Sequence, residues 1–452
     1  MKNFLWWVLA IVSGIIAGVG VALFVVFGYT GPGLPDGSDV EAWKEVGAES
    51  WGADSPGDWS SVRAVLAKLD EAETEAGAAP RRDPVLGVQR DLRFDADAND
   101  DRAIKALEVL RANGAFEDID RLPDSHPLHD GWGVGSDGAA VETMLDSTLG
   151  DLRGFRQLGR ALNRELVESI RDGDNERSTA AFDRLLTLAE VMGHQPVLIS
   201  RLVASAMRQL AFDTVHAAAL RGELTGGLLA DLRRSVAASD IGSMKAALEG
   251  EIIFSRNALR ARYPGGPFVF MNPAAQHAPI EETLRAVIAS FDEAPSTGMA
   301  KARDAFVAAN ERAGLAYPQL GVFIPAVARA VESEFTAESR RRALVIVLAL
   351  EERRLTEGSF PGSLADLVGA QLDALPVDLY GDGAYVYEVG PDASVPSAVG
   401  GCRLWSVGFD GVNNRGAKPP ADARGGEADP YSRFGSDTDY LFMGSDAAVL
   451  GH

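Results

Sequence analysis

Apolar positions along this chain fall into three regimes, and each predicts a different kind of element. Phe4 to Phe27 is an almost unbroken apolar run, with no charged side chain between Lys2 and Asp36. A helix of about 24 residues rises roughly 36 Å, enough to cross a hydrocarbon core of about 30 Å. From Trp59 onward, apolar residues recur at helical spacing. Val62, Val65, Leu66 and Leu69 form one stripe, and Ile104, Leu107 and Leu110 form another that ends at Asn113-Gly114. Further helices are predicted over Val141 to Arg171, Glu176 to Met192, Pro196 to Leu220, Gly227 to Ala238, Ser243 to Arg262, Ile280 to Phe291, Gly298 to Ala313 and Pro325 to Phe335. Asp172-Gly173-Asp174, Gly193 and Gly222 punctuate them. Breaks this short make successive helices antiparallel neighbours, so the expectation is a stack of helical hairpins. Another helix from Ser339 to Gly358 precedes the third regime, short alternating segments at Ala384 to Val389 and Cys402 to Val407 that read as strands.

The chain therefore reads as mainly α. A transmembrane anchor (1–30) leads through a linker (31–60) and a small helical region with a loop (61–138) into a helical-hairpin domain (139–335). A small α+β module with a short antiparallel sheet (336–452) follows. The linker holds Trp43, Trp51 and Trp59 without a sustained period. These indoles fit either a membrane interface or the first helical layer. Tyr263 to Pro273 cannot be helical; its Phe268, Phe270 and Met271 are expected to plug the helical core, or else to present an apolar patch to a partner.

The first apolar run exceeds the 7–15 residues of a cleavable signal and lacks a well-placed small-residue cleavage site. It is expected to remain as a single-pass anchor in the inner (cytoplasmic) membrane. Lys2 precedes it, and Asp36, Asp39, Glu41 and Glu45 follow, so the positive-inside rule places Met1 in the cytoplasm and the bulk of the chain outside. Gly14 and Gly18 stand at a GxxxG spacing through which two such helices could form a homodimer, but glycine is common in membrane helices and a plain tether is the preferred reading.

Composition narrows the partners. With 46% hydrophobic residues the exported part can fold, and a formal charge of -22 argues against nucleic acid, whose binding depends on neutralising phosphates with Lys and Arg. Cys402 is the sole cysteine, so no intrachain disulfide forms and the thiol is expected to be packed.

The C-terminal quarter carries a series of short motifs: Gly358-Ser359-Phe360-Pro361, Ser363 to Val368, Leu375-Pro376-Val377-Asp378, Tyr380-Gly381, Tyr385-Val386-Tyr387 and Trp405-Ser406-Val407-Gly408-Phe409-Asp410-Gly411. In this order they resemble the periplasmic head of the major pseudopilins of type II secretion. The order of regions, with the Leu185 to Val203 hairpin before such a head, also resembles a family of bacterial membrane-anchored helical proteins to which no activity attaches. The pseudopilin resemblance implies calcium in the loop after the last strand, at Asp410, Asp437 and Asp439. Donor chemistry is compatible, since calcium needs six to eight oxygens and a loop holding Asp410, Asn413, Asn414, Asp437 and Asp439 could wrap one. The same residues also suit a plain exposed turn. The chain departs from pseudopilins at its start, which lacks the processing glycine and the glutamate of the assembly helix, so incorporation into a fibre is not expected.

Catalytic constellations are few. Asp124-Ser125-His126-Pro127-Leu128-His129-Asp130 sets two imidazoles and two carboxylates in one loop, yet no further ligand motif stands near it. His194 at a helix end suits a structural role, and Glu249 and Glu251, two apart, do not share a helix face. Arg160 with Arg164, and Arg340 to Arg342, read as solvated faces. The expectation is a binding or scaffolding protein of the cell envelope, possessing a protein partner and a secretion-related role. The alternatives are a hydrolase or metal enzyme using His126, His129 and distant carboxylates, and a helical module that captures a peptide.

Overall fold

The computed structural model describes residues 37–54, 56–83, 87–90, 92, 94, 101–129, 141–240, 242–262, 273–313, 317–389, 401–408 and 440–443. The apolar run Phe4–Phe27, with Gly14 and Gly18, lies outside these, as do residues 263–272. Among the described residues no helix is long and apolar enough to cross a membrane. They form a mainly helical protein with 12 α-helices and a short antiparallel sheet near the C-terminus. Two compact units result. One comprises Leu23–Ala211 and Asp240–Glu281, the other Phe212–Ser239 and Glu282–His452.

The first unit opens with helix α1 (Gly37–Trp51), inside the stretch read as a linker. Its apolar positions are sparse, but Trp43 is buried in a cluster with Leu128, Val197 and Ile253. The large indole is joined there by Ala42 and Val46 of the same helix. Gly47 lets α1 approach closely, because a Cβ there would stand 2.6 Å from Leu128. Helix α2 (Ser60–Glu75) buries Val62, Val65, Leu69 and Ala72 as its spacing predicts. A hairpin of β1 (Pro80–Asp83) and β2 (Gly87–Arg90) follows, in a segment with no evident alternation. Helix α3 (Asp101–Ala112) buries Leu107 and Leu110 as expected, together with Ala103 and Ala106, and leaves Ile104 exposed. A short α4 (Ala115–Arg121) begins after Gly114, whose φ is 76°.

Helices α5 (Val141–Asp172) and α6 (Asn175–Gly193) form the central hairpin of this unit. Gly173 turns the chain at φ 70°, and Asp174 caps α6 by accepting from the Arg177 N–H at 3.1 Å. Between them Glu165 accepts from Arg111 (Nε, 3.0 Å) and Arg177 (Nε, 2.6 Å). Burial pushes the Glu165 carboxyl upward, but the two guanidiniums outweigh it and hold it below the ordinary carboxylate range. Arg164, expected on a solvated face, is buried and pairs with Glu168 at 2.8 Å. Helices α7 (Leu198–Leu220) and α9 (Met244–Arg262) match their predicted positions, whereas α10 (Pro273–Ser290) begins seven residues before the expected Ile280 and runs through Pro279; α8 is described below.

In the second unit, α8 (Gly226–Ala238) is capped by Thr225, which accepts from the Leu228 N–H at 3.3 Å. It packs with α11 (Pro295–Arg312) around α12 (Pro318–Glu357), a single 40-residue helix where two had been expected. Pro325 lies inside it without ending it. Ala343 to Leu350 are all buried, so this part of α12 is apolar all round and its surroundings hold it helical. Gly358, at φ 79°, stops it. A 3-10 turn, Leu364–Leu367, with a capping box between Ser363 and Asp366, leads to the sheet. Strands β3 (Val386–Val389), β4 (Cys402–Ser406) and β5 (Tyr440–Met443) pair antiparallel in that order, with an irregularity between Leu404 and Trp405. The two predicted strands are present and β5 is additional.

Candidate functional site

The three tryptophans of the presumed linker and the histidine loop meet in the first unit. Trp43 and Trp59 are buried, which settles their role as packing, and Trp51 is partly buried. A 3-10 turn, Pro123–Ser125, ends at His126 with φ 42° and brings the loop alongside Gly57. The Gly57 N–H donates to the His126 carbonyl at 3.0 Å and the Leu128 N–H to the Gly57 carbonyl at 3.2 Å. Only glycine fits there, since a Cβ on Gly57 would lie 2.0 Å from the Ser125 carbonyl oxygen.

Each ring of the cluster has a defined place. His129 is buried, donates through Nε2 to Asp151 at 3.2 Å and meets Trp59 edge-on at 5.1 Å between centroids. The Trp59 indole donates to the same Asp151 oxygen at 2.8 Å. Trp43 donates to the His129 carbonyl and Trp51 to the Pro127 carbonyl, at 3.4 and 3.3 Å. Gln195 completes the loop's satisfaction: its Oε1 accepts from the His129 N–H at 2.8 Å and its Nε2 donates to the Pro127 carbonyl at 2.9 Å. His194 stacks on Trp51 at 4.1 Å and 18° and donates through Nδ1 to the Ser50 carbonyl. Burial lowers its pKa, and the stacked ring has the structural role that its place at a helix end suggested. The His126 ring lies 5.5 Å from Trp51.

Below this cluster, Glu251 accepts from the Leu198 N–H at 3.3 Å, at the start of α7. It is buried, and desolvation raises its pKa to about 7 against the smaller opposing effect of that hydrogen bond. Gly250 makes the approach possible: a Cβ there would stand 1.8 Å from the Pro196 carbonyl oxygen.

The second unit has its own polar center. Asp378 is buried and its Oδ1 accepts from Ser406 Oγ at 2.8 Å and the Tyr380 N–H at 3.2 Å, while Oδ2 accepts from the Val407 N–H at 3.3 Å. Burial raises its pKa more than these donors lower it. Two of the motifs read from the sequence, Leu375 to Asp378 and Trp405 to Gly411, are thereby joined through one carboxylate. Tyr385 donates to the Ser339 carbonyl at 2.8 Å and His216 donates through Nε2 to the Phe442 carbonyl at 2.8 Å. Arg341 donates to the Val236 and Ala237 carbonyls at the end of α8, and Arg342 to the Val377 carbonyl, so these arginines are structural ties and not the solvated face expected. Cys402 is buried as expected, and burial pushes its thiol up to about 12.

The proposed calcium ligands Asp410, Asn413, Asp437 and Asp439 lie outside the described residues, as do Asn414 and Asp130. Their flanks are described: Ser406 pairs with Tyr440, so the connection that carries all four leaves and re-enters the sheet at adjacent positions. Among the described residues no three His, Cys, Asp or Glu side chains converge as a metal site. Sequence reasoning overlooked Gln195 and Asp151, which bear no motif and reach the loop only through the fold; the signal that existed was the recurrence of tryptophan before it. Comparison of the chain with protein-family models, curated proteins and solved structures finds no match.

Proposed function

We propose that this chain is a membrane-tethered, non-enzymatic binding and scaffolding protein of the bacterial envelope, held by Phe4–Phe27 with its bulk outside the cytoplasm. The observation that carries the choice of binding over catalysis is the use made of the His126–His129 loop. A hydrolytic or metal site needs an imidazole nitrogen open to its substrate or ion. Here His129 is buried with its Nε2 on Asp151, which also accepts from Trp59, and Gln195 occupies the loop backbone. The constellation thus serves to fasten α1 and the loop to the helices beneath.

The C-terminal module is read as pseudopilin-head-like. Support comes from the order of its elements, a long helix, a Gly358 stop, a short turn at Leu364–Leu367 and a three-stranded antiparallel sheet, and from the Asp378–Ser406 bond between two of the motifs. Calcium held by the β4–β5 connection belongs to this reading, because the donor set is oxygen-rich.

The test has two arms. A reporter fused after His452 should be active only outside the cytoplasm, and activity inside overturns the topology. Photo-crosslinkers placed at exposed helix positions such as Val307 and Val322 should give discrete envelope adducts that persist in a His126→Ala, His129→Gln variant. Hydrolysis of ester or peptide substrates by the parent, lost in that variant, would establish the enzyme instead.

A further inference from the structure

Helix α1 is fastened by few contacts for its length. Among its described side chains Trp43 and Gly47 are buried, while Glu41, Lys44, Glu45 and Glu49 are exposed. Its apolar hold is the Trp43 indole, with Ala42 and Val46, on Leu128, Val197 and Ile253. The Trp51 and Trp43 indoles donate to the Pro127 and His129 carbonyls at 3.3 and 3.4 Å, neutral bonds of modest net worth. A helix of 15 residues is marginal in isolation, so docking and not propensity keeps α1 formed. Such an element belongs to the low-stability end of a fold and opens before the rest.

One titratable ring closes the end of this helix. His194 donates through Nδ1 to the Ser50 carbonyl, among the carbonyls that a helix end leaves without intrahelical partners, and the same nitrogen is 3.2 Å from the Ser50 hydroxyl. Trp51 stacks on the ring at 4.1 Å, and Gly242 closes against it, since a Cβ there would stand 2.8 Å from Nδ1. Only 6% of His194 is exposed, which leaves little water for a charged ring. An imidazolium has two N–H donors, and the Ser50 carbonyl accepts from one of them. The charged groups about the ring are Asp240, Arg201 and His126, with Glu190 one turn earlier on α6. Burial lowers the docked ring from 6.5 and outweighs the opposing Ser50 carbonyl and Asp240, while Arg201 and His126 act with burial. Burial, and then Asp240, hold Glu190 above the ordinary carboxylate range. We infer that α1 is an acid-released strap: a proton taken up by His194 frees the Ser50–Trp51 end, and the helix leaves the pocket that Trp43 fills. The open ring binds a proton more readily than the docked one, so docking is complete above pH 6.5 and is lost as pH falls below it.

The experiment uses the full chain in neutral detergent and follows hydrogen–deuterium exchange of the α1 and α6 amides, corrected for intrinsic rates. Between about pH 7.5 and pH 5.5 the protection of α1 should fall by up to about tenfold, the most that one proton site of pKa near 6.5 can give, while α6 keeps its own. His194→Phe retains an aromatic face for Trp51, and His194→Gln retains a neutral donor for the Ser50 carbonyl. Each should protect α1 equally at the two pH values. Asp240→Asn removes the carboxylate that favors the charged ring yet keeps an acceptor for the Gly242 N–H, 2.8 Å away in the parent, and should enlarge the acid loss. Equal protection of α1 at both pH values in the parent overturns the strap, and so does a loss that both His194 variants retain. Exchange of α6 that rises in step with α1 overturns it as well, because the molecule is then opening as a whole. An acid loss in Asp240→Asn no larger than the parent's would remove His194 as the sensor.

Discussion

Partly buried His216 and buried Glu251 carry opposite pH dependences. Desolvation lowers His216 from 6.5 to about 4, with the Phe442 carbonyl opposing this and Arg340 adding to it. Between those values the unfolded chain binds a proton that the folded one does not, so the His216 contribution is present above pH 6.5 and is lost as pH falls toward 4. Its full span is about 3 kcal/mol. Glu251 is raised from 4.5 to about 7, so here the folded chain holds the extra proton and stability falls as pH rises through that window. Urea titrations should accordingly show that His216→Phe lessens the acid loss of the parent and Glu251→Gln lessens its loss toward neutral pH. Parallel pH profiles for parent and variants would contradict both assignments. Gly250 offers a test without charge. Alanine in a helix interior ordinarily gains up to about 1 kcal/mol over glycine. Against the Pro196 carbonyl, however, Gly250→Ala should cost about 1–3 kcal/mol by overpacking. A variant as stable as the parent would mean that α9 does not approach Pro196 so closely.

Among the elements, those whose apolar residues are large and regularly spaced were legible from the sequence. Helices α2, α5, α6 and α7 lie within a few residues of their expected bounds, and two of the breaks between them fall at Gly173 and Gly222, whose positive φ other residues adopt poorly. Elements stabilized by tertiary context were not legible. Helix α1 rests on Trp43, Trp51 and Val46 among small and charged residues, α12 continues through Pro325 with its later half enclosed, and β5 depends on pairing with β4. The site followed the same division. The histidines and tryptophans were visible as residue types, but their convergence with Asp151, 22 residues from His129, and Gln195, 66 away, exists only after folding. Arg341 shows how charge runs mislead. Its contacts with Val236 and Ala237, at 3.1 and 3.0 Å, satisfy carbonyls that a helix end leaves without intrahelical partners. Arg341→Ala should therefore cost about 1–2 kcal/mol in urea unfolding, and Arg341→Lys should recover part of it. A loss of only a few tenths would return this residue to the solvated face that the sequence alone suggested.

At the scale of the whole molecule, charge sets the remaining expectation. A formal charge of -22 makes the folded chain repel itself over distances comparable with the Debye length, about 10 Å at 0.1 M salt. The described ion pairs act in the other direction, since salt screens them as well. Several of these pairs are exposed ones, such as Arg312 with Glu282 and Lys44 with Glu41, and such pairs contribute little. The more enclosed Arg111–Glu165–Arg177 group is shielded from added ions by its burial. Repulsion is therefore the larger salt-dependent quantity, and sodium chloride between 0.02 and about 0.3 M should raise the thermal midpoint. Calcium acts beyond this general effect if the β4–β5 connection holds it. Chelator at fixed ionic strength should then lower the midpoint of the parent, while an Asp410→Ala, Asp439→Ala variant should follow sodium chloride alone. A midpoint that falls with sodium chloride would put ion pairing ahead of repulsion. Absence of a chelator effect in the parent would remove calcium from the proposed function and leave the tethered scaffold without a metal.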